Sequence, residues 1–300
     1  MKSLVLSTST NETTKYSDGL KRFGEVELMA YDQLGHSERL MLDKARAYQP
    51  NLIVYIGSRW GQMPSMAALA HLNNSLAPMV HICSDAADPP WWDLLNEYHY
   101  AGCFRVQVAI DGSKRWPLSD SQITLLTPVD PVSFPELKPH SERAVVCGYA
   151  GNPGSGNGSR RTAVLSDLLS ARAIDLRIRS NLPFTYEAYC AYLATCRMSL
   201  NIAYSGTEAA TQVKGRVVES ALAGCCLLET EGSPTADWFT PGVDYLTYAD
   251  ASDALRIIRM LANEPEVTQK YADNLRSKLL ADHTPERFWQ KIFDRVGVKP

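Results

Sequence analysis

The stretch that decides the fold is KGRVVESALAGCCLL, residues 214–228. It predicts a helix of small residues over 213–223, a stop at Gly224, and a buried apolar strand over 225–229. A helix that leads directly into a buried strand is the repeating unit of a parallel α/β sheet. We therefore expect an α/β protein.

Two cations stand at the start of this helix. Basic residues there oppose the helix dipole, and they cost stability unless an anion is shared between them. A pyrophosphate would interact favourably with Lys214, Arg216 and the N–H groups of the first turn together. Glu219 follows Arg216 on nearly the same helix face, and its carboxylate could accept two hydroxyls, such as those of a ribose. The plain alternative is a solvated first turn with an Arg–Glu pair.

The rest of the chain repeats the alternation of strands and helices. Four prolines between residues 128 and 140 predict an interdomain linker. The pattern indicates two Rossmann-like units, with strands alternating with helices in each. We predict strands over residues 3–7, 26–31, 51–56, 78–83, 104–110, 123–127, 144–149, 175–178, 198–203, 225–229 and 245–248. We predict helices over residues 15–23, 37–48, 66–72, 91–100, 160–169, 186–196, 213–223, 251–263, 265–280 and 285–296.

Composition excludes several classes of protein. The chain has 300 residues, 45% of them hydrophobic and 21% charged, which is ordinary globular usage and argues against disorder. A net charge of −3 gives no overall attraction to nucleic acid or to anionic lipid. Seven cysteines without a CxxC pair are expected to be free and buried, in a reducing compartment. With no apolar run of membrane-spanning length, we expect a cytoplasmic protein.

The motif over 214–228 resembles the nucleotide-sugar motif of GT-B glycosyltransferases of group 1, and in particular the CgeB-like set. Further matches follow in the family's order over roughly residues 143–293: WFTPGVDYL at 238–246, the segment 248–261, and HTP at 283–285 with Phe288. The resemblance implies two Rossmann-like domains facing across a cleft. It implies an acceptor domain over 1–130, a nucleotide-sugar-binding domain over 131–284, and a last helix over 285–300 that crosses back to the N-terminal domain.

The resemblance also assigns roles to residues of the second half. Glu219 would bind the donor ribose, and Arg216 and Lys214 the diphosphate. The loop that follows the strand predicted over 225–229 would lie near the donor. Its residues are Glu231, Gly232 and Ser233. The sequence departs from the family at Thr211, where many relatives carry a second Glu, and the nearby Glu208 is out of register.

A second candidate segment is the glycine-rich run GNPGSGNGSRR, residues 151–161, which follows a predicted strand and opens a helix. Glycine lets backbone N–H groups approach an anion closely, and the arginines stand where phosphate charge could be met. The resemblance favours an active-site loop here, in which Gly151, Asn152 and Arg160 would contact the donor. The alternative is a flexible surface loop, and the run is not a P-loop because GK[ST] is absent.

Two strand ends of the first half supply candidates for the acceptor side. Ligands of parallel sheets bind beyond the carboxyl ends of the strands. Asp85 is the candidate base for the acceptor hydroxyl, against a turn role, and Trp91 could stack on the acceptor or pack its helix. Arg59 and Trp60 are expected to contact the acceptor, although Arg59 could equally form a surface ion pair. His81, inside a predicted strand, is expected to be a satisfied core histidine.

The sequence has neither DxD nor HExxH. Fixed cations would then replace a metal on the diphosphate, so we expect no metal and no cofactor beyond the nucleotide-sugar co-substrate. The resemblance implies a glycosyltransferase that moves a sugar, expected to come from a UDP-sugar, to a hydroxyl of a glycan, a protein, a small molecule or a modified DNA base. Two alternatives stay open: a nucleotide-sugar epimerase of the same fold, and a non-catalytic binding protein.

Overall fold

The structure is a computed structural model of the chain. It describes residues 1–8, 14–57, 62–84, 86–87, 89–110, 121–153, 159–178 and 185–300. These residues form two sheets in which every paired strand is parallel.

The first sheet has the strand order β2-β1-β3-β4-β5-β6. Its strands are β1 Lys2–Ser7, β2 Glu25–Ala30, β3 Leu52–Ile56, β4 Met79–Cys83, β5 Val106–Ala109 and β6 Gln122–Thr124. The second sheet has the order β11-β10-β9-β7-β8. Its strands are β7 Val145–Gly151, β8 Asp175–Ile178, β9 Cys196–Leu200, β10 Cys226–Thr230 and β11 Leu246–Tyr248.

Helices connect the strands, as parallel pairing requires. They are α1 Thr14–Lys21, α2 Glu38–Tyr48, α3 Met66–Ser75, α4 Pro89–Tyr100, α5 Arg160–Ser170, α6 Tyr186–Ala194, α7 Gly215–Leu222, α8 Ala251–Leu261, α9 Pro265–Asp282 and α10 Pro285–Val296. Most begin where a short polar side chain accepts an N–H of the first turn. The capping residues are Ser37, Ser65, Ser159, Thr185, Asp250 and Thr284.

The chain divides into two compact units. The first consists of Met1–Asp130 with His283–Pro300, and the second of Pro131–Asp282. Within the first unit, side chains of β1 alternate between two apolar clusters: Leu4 and Leu6 contribute to one, and Val5 to the other. Alternation of this kind is what a sheet covered on both faces requires. The predicted α/β class is therefore confirmed.

Helix α10 belongs to the first unit, although it is last in the chain. Trp289, Ile292 and Phe293 are fully buried and pack in the cluster that contains Val5. Pro285 occupies the first turn of the helix, and Gly297 ends it with a φ of +79°.

Several element boundaries differ from the prediction by two or three residues, and one example is a helix that runs into a strand without a breaker. The helix predicted over 186–196 ends at Ala194, and Cys196 already belongs to β9. Cys196 pairs with Val145 of β7, so the neighbouring strand decides its conformation. The strand expected over 198–203 therefore begins two residues earlier, at Cys196, and it ends at Leu200.

The segment predicted as a linker is anchored in the second unit by His140. Its Nδ1 lies 2.8 Å from the Thr268 hydroxyl, and its Nε2 lies 2.8 Å from the carbonyl of Gly224. Burial lowers the pKa of His140 to about 4, so the ring is neutral at pH 7.

The cysteines follow the prediction, and His81 follows it only in part. All seven thiols are free and buried. His81 is buried and stacks on Phe104 with ring centroids 4.6 Å apart, and burial lowers its pKa to about 3. Its Nδ1 has no hydrogen-bond partner among the described residues, so the histidine is in the core but is not satisfied.

Within the described ranges, no helix combines the length and the apolar character that crossing a membrane requires.

Candidate active site

The candidate site lies at the carboxyl edge of the second sheet, where β7 and β9 end and α7 begins. Arg216, in the first turn of α7, donates through Nε and Nη2 to the carbonyl of Ala150 at 3.2 and 2.6 Å. Its Nη1 donates to Oδ1 of Asn201 at 3.0 Å. The guanidinium also lies 4.2 Å from the ring centroid of Tyr149, within the range of a cation–π contact. A solvated first turn therefore does not describe Arg216.

Gly151 ends β7 directly beside this guanidinium. Its φ is +151°, and a Cβ built on it would collide with Nη2 of Arg216. Glycine at this position therefore serves two needs: an unusual backbone conformation and the close approach of a cation. Asn152 is exposed, and its carbonyl accepts the Tyr149 hydroxyl at 2.9 Å. The structure thus brings Gly151 to Arg216, and the donor contacts expected of Gly151 and Asn152 stay predictions.

Glu219 lies one turn further along α7 and is buried, with 5% of its surface exposed. Its carboxylate accepts the hydroxyls of Tyr189 at 2.7 Å and Tyr186 at 3.4 Å, both from α6. Burial and the nearby Glu219 charge raise the pKa of both tyrosines, so their hydroxyls stay protonated and act as donors.

The charges of Arg216 and Glu219, three residues apart in α7, interact favourably. Burial alone would lower the pKa of Arg216, but interactions with Tyr149, Tyr189 and Glu219 outweigh it and the pKa is raised. Arg216 is therefore cationic at neutral pH. Lys214 is the N-cap residue of α7, and its side chain makes no capping hydrogen bond there.

Arg160 has partners other than those of Arg216. It is the first residue of α5, its N–H donates to the Glu208 carboxylate at 3.1 Å, and its guanidinium lies over the Tyr204 ring. Glu208 also accepts the N–H of Arg161, at 3.4 Å, so it caps this helix. Residues 154–158 of the glycine-rich run lie outside the described residues.

The three candidates after β10 are divided between surface and interior. Glu231 and Gly232 are exposed in the turn, where Gly232 has a φ of +72°. Ser233 is buried, and its hydroxyl accepts the N–H of Thr235 at 3.2 Å, which starts the short helix Pro234–Asp237. Its hydroxyl therefore has a capping role in the structure.

The acceptor-side candidates fall outside the described parts of the chain. This applies to Asp85, Arg59 and Trp60. Trp91 lies in α4, but its side chain is not among those described. Their roles stay predictions.

Two residues of the site were missed by the sequence argument, Asn201 and Glu229. Glu229 has no exposed surface, and it accepts Asn201 Nδ2 at 2.8 Å, the Thr235 hydroxyl at 2.9 Å and the Thr230 N–H at 2.8 Å. Burial raises its pKa to about 7, although these hydrogen bonds and Arg216 act in the opposite direction. A carboxylate inside an otherwise apolar predicted strand is the signal that could have identified Glu229.

Comparison with known proteins adds a family match and a fold. Residues 156–294 match the family described as glycosyl transferase-like. No curated protein matches the sequence. Anabaena HepE, solved with UDP and glucose, is 12% identical with a TM-score of 0.66, over 98% of this chain and 99% of that one.

Two further solved structures have the same fold. An alpha-glucosyltransferase, solved with UDP and a 13-mer DNA containing a central A:G mismatch, is 9% identical with a TM-score of 0.68, over 99% of this chain and 100% of that one. Sucrose-phosphate synthase from Thermosynechococcus elongatus is 8% identical with a TM-score of 0.66, over 99% of each chain. The shared fold confirms the predicted GT-B fold, and the match over residues 156–294 is to the glycosyl transferase-like family that the resemblance implied. The CgeB-like subfamily stays a prediction.

Proposed function

We propose that this glycosyltransferase uses a UDP-sugar and binds it at the carboxyl edge of the second sheet. The observation that carries the proposal is the position of Arg216, a cation held beside Gly151 and coupled to the buried Glu219. Ligands of parallel α/β sheets bind beyond the carboxyl ends of the strands, and helix N-termini attract phosphate. HepE and the alpha-glucosyltransferase, which have the same fold, were each solved with UDP.

In this proposal the cations stabilise the leaving nucleoside diphosphate. Negative charge builds up on the diphosphate as the bond to the sugar breaks, and a preorganised Arg216, aided by Lys214, lowers the energy of that state. Contacts to Ala150 and Asn201 fix the guanidinium before the donor arrives, so little reorganisation is needed. We propose that these cations make a metal ion unnecessary. Glu219 would accept the ribose hydroxyls.

We propose a hydroxyl acceptor, with Asp85 as the base that takes its proton. A glycan, a protein, a small molecule and a modified DNA base all present such a hydroxyl. The net charge of −3 gives no general attraction to DNA, so a DNA acceptor would need locally arranged cations.

The donor site is tested by replacing Arg216. We expect Arg216→Ala to weaken UDP binding by about 10- to 100-fold, because a charge-assisted contact to phosphate is lost. Isothermal titration calorimetry measures the affinity. Arg256→Ala is the matched control, since Arg256 is an exposed arginine of α8 in the same unit, paired with Asp253. An Arg216→Ala protein that stays folded and binds UDP as tightly as the parent would refute the donor site.

Product analysis separates transfer from epimerisation. A panel of nucleotide sugars is incubated with and without candidate acceptors and read by mass spectrometry. A transferase releases UDP in step with a glycosylated acceptor, and the release persists after treatment with EDTA if no metal is needed. Conversion of the sugar on an intact donor, without an acceptor, would indicate an epimerase.

A further inference from the structure

Glu229 is a fully buried carboxylate to which the proposed chemistry gives no role. Burying a carboxylate is costly unless it is well hydrogen-bonded. Two of its three partners lie close to it in the chain: the N–H of Thr230, the last residue of β10, and the hydroxyl of Thr235, in the short helix Pro234–Asp237. The third is the side chain of Asn201, 28 residues earlier in the chain.

Asn201 connects Glu229 to Arg216. Its Nδ2 donates to Glu229 Oε2 at 2.8 Å, and its Oδ1 accepts Arg216 Nη1 at 3.0 Å. The reverse orientation of the amide would direct its NH2 group at the guanidinium, donor against donor. Because Glu229 only accepts when it is ionised, it selects the orientation that presents oxygen to Arg216. The backbone of Asn201 is held separately, since its carbonyl accepts the Tyr248 hydroxyl at 2.8 Å.

We propose that Glu229 is a positioning residue for the donor site: through the amide of Asn201 it fixes the Arg216 guanidinium at the carboxyl edge of the sheet. This inference rests on the proposed function, because it supposes that Arg216 binds the donor. It gives Glu229 no contact with the donor. The competing explanation is that Glu229 only stabilises its own turn, through Thr230 and Thr235.

Exchanging the carboxylate and the amide group between positions 229 and 201 distinguishes these explanations. In Glu229→Gln one oxygen is replaced by an NH2 group. That group must face either the Thr230 N–H or the amide of Asn201, and the second case drives Asn201 to flip its NH2 towards Arg216. The double variant Glu229→Gln with Asn201→Asp restores the chain of donors and acceptors, since the introduced glutamine would donate to the introduced aspartate, which would accept from Arg216. The double variant keeps the negative charge but places it at position 201, in direct contact with the Arg216 guanidinium.

The measurement is UDP affinity by calorimetry, with thermal melting of each variant. We expect Glu229→Gln to weaken UDP binding roughly tenfold, and the double variant to recover to within about threefold of the parent. Thr235→Val is the matched control: it removes one hydrogen bond to Glu229 but leaves Asn201 in place, so its melting temperature should fall while its UDP affinity stays unchanged.

Three outcomes overturn the proposal. One is a folded Glu229→Gln protein with parental UDP affinity. Another is a double variant that fails to fold, or that folds and binds UDP no better than Glu229→Gln. The third is a Thr235→Val protein that loses UDP affinity as strongly as Glu229→Gln, which indicates a role confined to the turn. If the parent binds no UDP, or if Arg216→Ala binds it normally, the proposed function has failed as well. If Arg216→Ala weakens binding and Glu229→Gln does not, this inference alone has failed.

Discussion

The buried carboxylate of Glu229 makes the stability of the second unit depend on pH in a direction unusual for an acid. Its pKa rises from the ordinary 4.5 to about 7 in the folded chain, because burial disfavours the charge. A raised pKa means that the folded state holds the proton more tightly than the unfolded state does. The stabilisation from this group is therefore fully present below pH 4.5 and is lost as the pH rises through 7.

The size of the effect follows from the two pKa values. Each pKa unit corresponds to about 1.4 kcal/mol, so Glu229 should lower the free energy of unfolding by about 2.5 kcal/mol between pH 5 and pH 8. Urea unfolding of the parent and of Glu229→Gln, followed by circular dichroism at unit steps of pH, measures it. The variant cannot titrate at this position, so the difference between the two proteins isolates Glu229.

We expect the free energy of unfolding of the parent, relative to that of Glu229→Gln, to fall as the pH rises. A hydrogen bond lost in the variant would add only a constant difference. A difference that is independent of pH would refute the reasoning, because it would mean that Glu229 has the same pKa folded and unfolded. A difference of opposite sign would mean that its hydrogen bonds and Arg216 outweigh burial.

Two further substitutions test the packing. Trp289→Ala should destabilise the protein by about 3–5 kcal/mol, since Trp289 is fully buried in the first unit and truncation leaves a cavity; a loss below about 1 kcal/mol in urea unfolding would contradict this packing. Gly151→Ala should weaken UDP binding at least tenfold, because the added methyl group takes the space of Arg216 Nη2; unchanged affinity in calorimetry would show that the guanidinium can shift without loss.

The fold could be predicted because it rests on local patterns. Short apolar strands alternate with amphipathic helices. Residues such as Ser37 and Gly224 mark where a helix begins and where one ends. Boundaries were less predictable than the elements themselves, for example where no breaker separates two elements. Cys196 is the example, since its place in β9 is decided by pairing with β7 and not by its own neighbours.

The candidate site was predictable only where its parts lie close together in the chain or at the end of a strand. Arg216 and Glu219 are separated by less than one helical turn, and Gly151 follows a recognisable strand. The link from Asn201 to Glu229 spans 28 residues and depends on two strand ends meeting at one edge. A single sequence holds no record of which strands are neighbours, so the role of Glu229 needed the structure.

The discontinuity of the first unit sets the order in which the molecule can be completed during synthesis. Residues 131–282 form one uninterrupted segment, whereas the first unit needs 283–300 to fill the space that Trp289, Ile292 and Phe293 occupy. The second unit is therefore contiguous in sequence, whereas the first cannot complete its core until residues 285–296 have been synthesised. Until then the apolar cluster that contains Val5 lacks the side chains of Trp289, Ile292 and Phe293.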